Sequence, residues 1–280
     1  MAILESIDKL ISTKVLMTLH DELVATKICT MDMGAQIEKA GDTVKFVGLS
    51  TPTIQAYSGT ISTENLADAA VTMPIDQQNY YSFYVDDIEA FRSLIDIKGN
   101  AIEEASYGLL NTADEYVFGL YGGAGTTITA TVSATIALST TATVCRKLDE
   151  ANVRPGQRWL VIPPWYMEKL ELAGIKFSIL EGVSGAKSGV YWVQHWGTDI
   201  YVSNNLSQTG TEGSYVTQCL AGSYNSVGYA QQILKSRVIQ DVESSFKAQC
   251  AGLHVFGAKV LKPKEVVCIA ATQSTAETTI

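Results

Sequence analysis

Long apolar runs are missing from this 280-residue chain. None approaches the ~20 residues that a membrane-spanning helix needs. The opening MAILESIDKLISTKVLMTLHDELV also places Glu5, Asp8 and Lys9 inside what would have to be the apolar core of a signal peptide, so secretion by that route is not expected. Basic clusters are equally scarce. The net charge is -9 and the first arginine is Arg92, which argues against a nucleic-acid grip, because phosphate binding needs grouped Lys and Arg. Cys29, Cys145, Cys219, Cys250 and Cys268 are odd in number and widely spaced. That pattern supports neither a zinc site nor a disulfide framework, and buried free thiols in a reducing cytoplasm are expected. His20, His195 and His254 show no ligand spacing, and ring nitrogens satisfied by hydrogen bonds are expected for each.

Catalytic signatures are absent too. There is no GxSxG elbow and no GxxxxGK[ST] loop, and the cluster Gly122 to Gly125 lacks the third glycine of a dinucleotide fingerprint. It reads as a helix stop. The carboxylate pairs Glu103 with Glu104 and Asp241 with Glu243 read as surface acids. No catalytic, cofactor-binding or metal-binding residue is expected.

What the chain does contain is periodicity. Hydrophobic residues make up 46% of it, and its length suffices for a sizeable core and for two domains. In TVKFVGL, Val44 and Phe46 alternate with Thr43, Lys45 and Val47, and the alternation resumes at Val71, Met73 and Ile75. The Gly, Ser, Thr and Asn of SGTISTENLAD favour turning, so Thr43 to Asp76 reads as one long hairpin with its tip near Ser58 to Asn65. A third strand, YYSFYV, leads out of it. A hairpin alone is marginal in water and needs something to lie on.

Helical spacing follows at once. Asp86 and Asp87 can cap a short helix to about Leu94. Ile102, Ala105, Leu109, Ala113, Tyr116 and Leu120 recur at helical steps in a longer helix from about Ile97 to Tyr121, roughly 37 Å long. At the start of the chain, Ile3, Leu4, Ile7, Leu10, Ile11, Val15 and Leu19 form an amphipathic stripe suited to docking on the chain's own body or on another subunit. Between Gly122 and Thr143, strict alternation of Ile128, Ala130, Val132, Ala134, Ile136 and Leu138 predicts a strand. VCRKLDEANVRPGQRWLVIPPWYMEKLE then reads helix, turn, strand, helix. Two short strands flank Gly197, SYVTQCLAGSYNSVGYAQQI reads as a strand and a helix, and the segment from Phe246 is β-rich with a turn around Pro263. The fold class is α+β.

The order of these parts resembles the tailed-bacteriophage major capsid protein of the Hong Kong 97 type. FYVDDIEAF before the long helix, TADEYVFGLY at its end, VIPPWYMEKLE, HWGTDIYVSNNL, SVGYAQQI and GLHVFGAKVLKP carry the resemblance. It implies an N-terminal arm over 1–40, an E-loop hairpin over 41–85, a peripheral domain with a spine helix over 86–142 and 246–280, and an axial domain over 143–245. It implies hexamers and pentamers building an icosahedral head around double-stranded DNA that is not bound sequence-specifically. The implied partners are a portal and, optionally, a decoration protein. Assembly in the host cytoplasm and location in the virion are implied as well, with no cofactor and no membrane. Because the arm lacks the ~50 residues of an extra domain, a separate scaffolding protein is expected. Lys45 is the only lysine of the hairpin and sits near its base, so covalent crosslinking is not expected. Gly41 to Val85 holds four acids against one base, and Lys259, Lys262 and Lys264 cluster elsewhere. Ser58, Thr60, Glu64 and Asp68 of the hairpin are therefore expected at a subunit interface, the two acids meeting those lysines of a neighbour. A bacterial encapsulin shell protein and an α+β enzyme or ligand-binding domain stay open as alternatives.

Overall fold

A computed structural model describes residues 24–30, 43–49, 54, 56, 68–86, 97–173, 193–195, 197–211, 215–239 and 247–274. The expected first amphipathic stripe, the hairpin tip and the short helix to Leu94 lie outside them. The described chain runs α1 (Val24–Ile28), β1 (Thr43–Leu49), β2 (Asp68–Pro74), β3 (Gln77–Asp86), α2 (Ile97–Phe118), β4 (Thr126–Val132), α3 (Ala134–Glu150), β5 (Arg158–Ile162) and α4 (Pro164–Leu172). It continues as β6 (Val193–His195), β7 (Thr198–Val202), β8 (Gln208–Thr209), β9 (Val216–Ser223), β10 (Val227–Ile239), β11 (Lys247–Val260) and β12 (Val266–Gln273).

Three sheets result. β1 and β2 form an antiparallel pair from Thr43↔Pro74 to Leu49↔Asp68. A second sheet has the order β10-β11-β3, and the third is seven-stranded, β4-β12-β9-β5-β7-β6 with β8 attached to β9. The α+β class is as expected, but the sheets cut across the expected division at 142/143 and 245/246. β4 and β12 share a sheet with β5, β7 and β9, and β10 belongs with β3 and β11. The physical reason is hydrogen bonding between remote strands: β12 pairs with both β4 and β9, and α3 runs through residue 142 without a break.

The long helix starts at Ile97 as expected and ends at Phe118, tightening into a 3-10 turn over Gly119–Gly123. Its 22 residues span roughly 33 Å. Ile102, Leu109, Leu110, Ala113, Val117 and Phe118 are buried, the stripe that helical spacing demands.

Two expectations fail. The strand expected across Gly122 to Thr143 ends at Val132, and Ser133 caps α3 by accepting from the N–H of Ile136. The period-2 run of Ala134, Ile136 and Leu138 is outvoted by a helical one, with Ala137, Thr140, Thr141, Val144, Cys145 and Leu148 all buried. Thr140 and Thr141 tolerate this because their hydroxyls donate to the carbonyls of Ile136 and Ala137, each at 2.9 Å. The helix expected at SVGYAQQI is instead the start of β10, a strand paired along its length with β11. Long-range pairing overrides local propensity there.

The hairpin lies on one face of β11. Val44, Met73 and Ile75 bury themselves against Ala230 and Val255, with Phe46 and Leu253 at the margin. Space for this comes from two glycines. A Cβ on Gly257 would sit 2.4 Å from the Pro74 carbonyl oxygen, and one on Gly228 would sit 2.9 Å from the Phe46 ring. Gly257→Ala should therefore lift the hairpin base from the sheet and cost about 1–3 kcal/mol. Gly228→Ala should cost less, because a ring edge yields where backbone does not. Chemical denaturation of both variants measures this, and an unchanged Gly257→Ala midpoint would refute the contact.

Candidate assembly surface

The groups of interest lie where extended segments meet the body. Of the expected interface residues, Ser58, Thr60 and Glu64 lie outside the described residues. Asp68 opposes Leu49 at the end of the β1–β2 ladder remote from its base. The three lysines differ in what they do. Lys259 donates from Nζ to the Thr72 carbonyl at 2.8 Å, tying the hairpin of its own chain to β11. Lys262 pairs with Glu265 at 3.3 Å, and Lys264 is exposed on the 3-10 turn Pro263–Glu265.

A second extended segment is held by a buried carboxylate. Asp114 of α2 accepts from the backbone N–H of Ala25 at 3.1 Å and of Val24, and from Asn205 Nδ2 at 3.5 Å. One carboxylate thus joins the N-terminal segment, the long helix and the stretch after β7. Burial pushes its pKa up to about 6, against the opposing pull of those hydrogen bonds. Farther along, Thr30 N–H donates to the Val227 carbonyl at 2.9 Å and Tyr229 N–H to the Thr30 carbonyl at 3.2 Å, so this segment bridges the outer edge of β10.

The opposite face of β11 looks toward α2. Phe256 meets Tyr116 edge-on at 5.5 Å and stacks on His254 at 5.0 Å. His254 is 1% exposed, and neither ring nitrogen has a hydrogen-bond partner. This corrects the expectation of a satisfied ring. Burial, with Phe256 stacked alongside and no hydrogen-bond partner among the described residues, keeps the imidazole neutral and lowers its pKa to about 4. His20 and the side chain of His195 lie outside the description.

The five cysteines are buried thiols, and burial raises the pKa of Cys29, Cys145, Cys219 and Cys268. Among the described residues no group of His, Cys, Asp and Glu is placed to hold a metal. Glu103 and Glu104 are exposed on α2, while Asp241 and Glu243 lie outside the description.

What sequence reading missed is the free surface of β3. This strand is the outer member of its sheet. Tyr80 and Tyr84 point outward, 77% and 60% exposed, and a shallow groove lined by Asn79, Tyr81, Ala105 and Gly108 separates the strand from α2. The YYSFYV run announced a strand, but nothing local marked it as an edge. Ile54, beyond β1, is 97% exposed.

No family model and no curated protein sequence matches this chain. Solved structures do. A chain from Mycobacterium phage Che8 superposes with a TM-score of 0.70 at 24% identity, covering 88% of this chain and 90% of that one. The capsid of Ralstonia phage GP4 gives 0.66 at 13% identity, over 89% and 87%. A virus-like particle from Pyrococcus furiosus gives 0.58 at 12%, over 94% and 98%. The chain has the fold of phage capsid subunits, and the Hong Kong 97-type arrangement expected from its sequence agrees with these matches.

Asp114 and His254 predict opposite pH responses. The raised pKa of Asp114 contributes stability that is complete below about pH 3.8 and lost as pH rises through 6. The lowered pKa of His254 contributes stability that is complete above pH 6.5 and lost as pH falls toward 4. Each effect amounts to about 3 kcal/mol at most, and the two largely cancel between pH 4 and 6. Relative to wild type, Asp114→Asn should lose stability on acidification across that window and His254→Phe should gain it. Denaturation midpoints from pH 4 to 7 measure both, and parallel profiles for the three proteins would refute the assignment.

Proposed function

We propose that this chain is the major capsid protein of a tailed bacteriophage, self-assembling into hexamers and pentamers of an icosahedral head around double-stranded DNA. The carrying observation is the fold, shared over about nine tenths of each chain with the capsid of Ralstonia phage GP4. The internal arrangement supports the same reading. The paired base of the hairpin and the segment from Val24 to Thr30 are anchored to the body of their own chain. The role is structural.

Within this reading, the peripheral part follows the three-stranded sheet and α2, and the axial part follows the seven-stranded sheet with α3 and α4. Shell assembly uses a separate scaffolding protein, and the head carries a portal and, where present, a decoration protein. Assembly takes place in the host cytoplasm. Lys45 lies opposite Thr72 in the paired base of the hairpin, which suits the absence of covalent crosslinking. Glu64 and Asp68 meet basic residues of an adjacent subunit. Lys264 and Lys262 are the more available partners, since Lys259 is engaged with Thr72.

Negative-stain electron microscopy of the full chain, expressed with and without its genomic neighbours, tests this reading. Closed shells containing nucleic acid are expected with the neighbours present. A persistent monomer under all conditions would refute a shell role, and shells filled with protein cargo would favour the encapsulin alternative. Exposed ion pairs contribute only about 0–1 kcal/mol each, but a shell repeats them many times. Glu64→Lys combined with Asp68→Lys should therefore reduce shell yield and change its salt dependence. Unaltered assembly across a salt series would remove these contacts.

A further inference from the structure

The edge strand β3 carries a pattern that its own sheet does not use. From Gln77 to Val85 it holds no charged residue and no proline, which are the devices that ordinarily keep an exposed edge from pairing with another chain. Its outer edge has no partner strand among the described residues. The run Tyr80-Tyr81-Ser82-Phe83-Tyr84 is palindromic in residue class about Ser82.

Laid antiparallel against an identical strand with Ser82 on the two-fold axis, it sets Tyr80 opposite Tyr84 and Tyr81 opposite Phe83, in both directions. The faces match as well. Tyr80 and Tyr84 are the exposed residues of one face, whereas Tyr81 and Phe83 stack on the other at 5.9 Å between ring centroids. Aromatic residues directly opposite one another are among the favourable cross-strand pairs. The one acid of the strand, Asp86, falls opposite Gln78, so no like charges meet. On the α2 side, the groove beside the edge is lined by the small residues Gly108 and Ala105.

We propose that β3 is a two-fold association surface, and that its occupant is β3 of a second copy of this chain, joined by antiparallel edge pairing centred on Ser82. The occupant is a second copy because the aromatic palindrome pairs every central residue with its like only when the incoming strand is the same strand. The contact is isologous, as two-fold interfaces are. It does not depend on the shell reading, since a dimer in solution would display it equally. In a closed shell it would join two rings.

The test uses the full chain carrying Ser82→Cys. The five native cysteines are buried, so the introduced thiol is the accessible one among the described residues. Mild oxidation, or a short bismaleimide, should convert most of the protein into a covalent dimer on a non-reducing gel. Thr127→Cys on the edge strand β4, exposed in the same way, should give little. Tyr80→Lys with Tyr84→Lys places lysine opposite lysine and should weaken the non-covalent dimer about tenfold or more in sedimentation. Circular dichroism and the denaturation midpoint of that variant check that it folds.

Equal crosslinking at Ser82→Cys and Thr127→Cys would overturn the proposal. So would association that the double lysine variant leaves intact. Shells without crosslinks at position 82 would overturn it while leaving the capsid reading in place. Crosslinked dimers that never form shells would support it and count against that reading.

Discussion

The antiparallel ladder between β10 and β11 is the interaction on which the remaining arrangement depends. It runs from Val227↔Val260 to Ile239↔Gln249 with one bulge, between Ile233 and Lys235. Two neighbouring strands of the chain's large sheet connect to it, because β9 turns into β10 through Tyr224 to Ser226 and β11 turns into β12 through Pro263. The ladder's two faces then take different loads. Val255 and Ala230 receive the hairpin, whereas Phe256 meets Tyr116 of α2. Alternation along a strand makes this division automatic, since neighbouring residues point to opposite faces. A one-residue slip of register would exchange the two faces and detach both the hairpin and the helix.

Asp114 and His254 are buried polar groups near this ladder, and they are tolerated for different reasons. Asp114 is kept because its oxygens satisfy N–H groups at the start of α1, which would otherwise lack partners. His254 has no such compensation and persists as a neutral ring stacked on Phe256. The imidazole acts there as an aromatic filler with an unused polar rim. Arg158 is a third solution. Its guanidinium, almost wholly buried, is shared between the Asp149 carboxylate and the Val153 carbonyl, so a cation is accommodated without an empty donor facing apolar surface. None of the three gathers the neighbours that acid-base or metal chemistry would require.

The legible parts of the sequence were those whose pattern is local. The hairpin arms showed themselves by alternation, and α2 by steps that place Ile102, Leu109 and Ala113 on one stripe. Of the helix-turn-strand-helix over 134–172, the part from Val144 to Glu171 was visible, because Arg154 to Gln157 and the pair Pro163 and Pro164 punctuate it. Failures came where a short pattern fits two periods or where a distant partner decides. Ala134, Ile136 and Leu138 alternate, yet they belong to a helix whose buried side is set by Ala137, Thr141 and Val144. Val227 to Ile233 has no strong strand signature of its own and takes its conformation from β11. The same limit applies to the interface. Charge asymmetry singled out Lys259, but sequence could not reveal that Thr72 of the same chain would claim it. Nor could it show that YYSFYV would become an outer strand, because edge position belongs to topology and not to composition.

The three-stranded sheet treats its two edges unequally. At β10 the chain supplies a partner itself, Thr30 exchanging backbone hydrogen bonds with Val227 and Tyr229. At β3 no described segment does so. An unpaired edge is tolerable in a monomer when it is short, charged or bent away, and β3 has ten residues with its sole charge at the last of them. Its aromatic side chains add exposed apolar area where a solitary domain would gain from polar ones. The hairpin repeats the contrast, with a base packed into a core and Ile54 beyond it almost fully exposed. Burial within one chain is therefore deep at Ala230, Val255 and Phe256 of the ladder and incomplete at Tyr80, Tyr84 and Ile54. That distribution is expected when folding of the single chain is only the first stage of ordering and contact between copies supplies the rest.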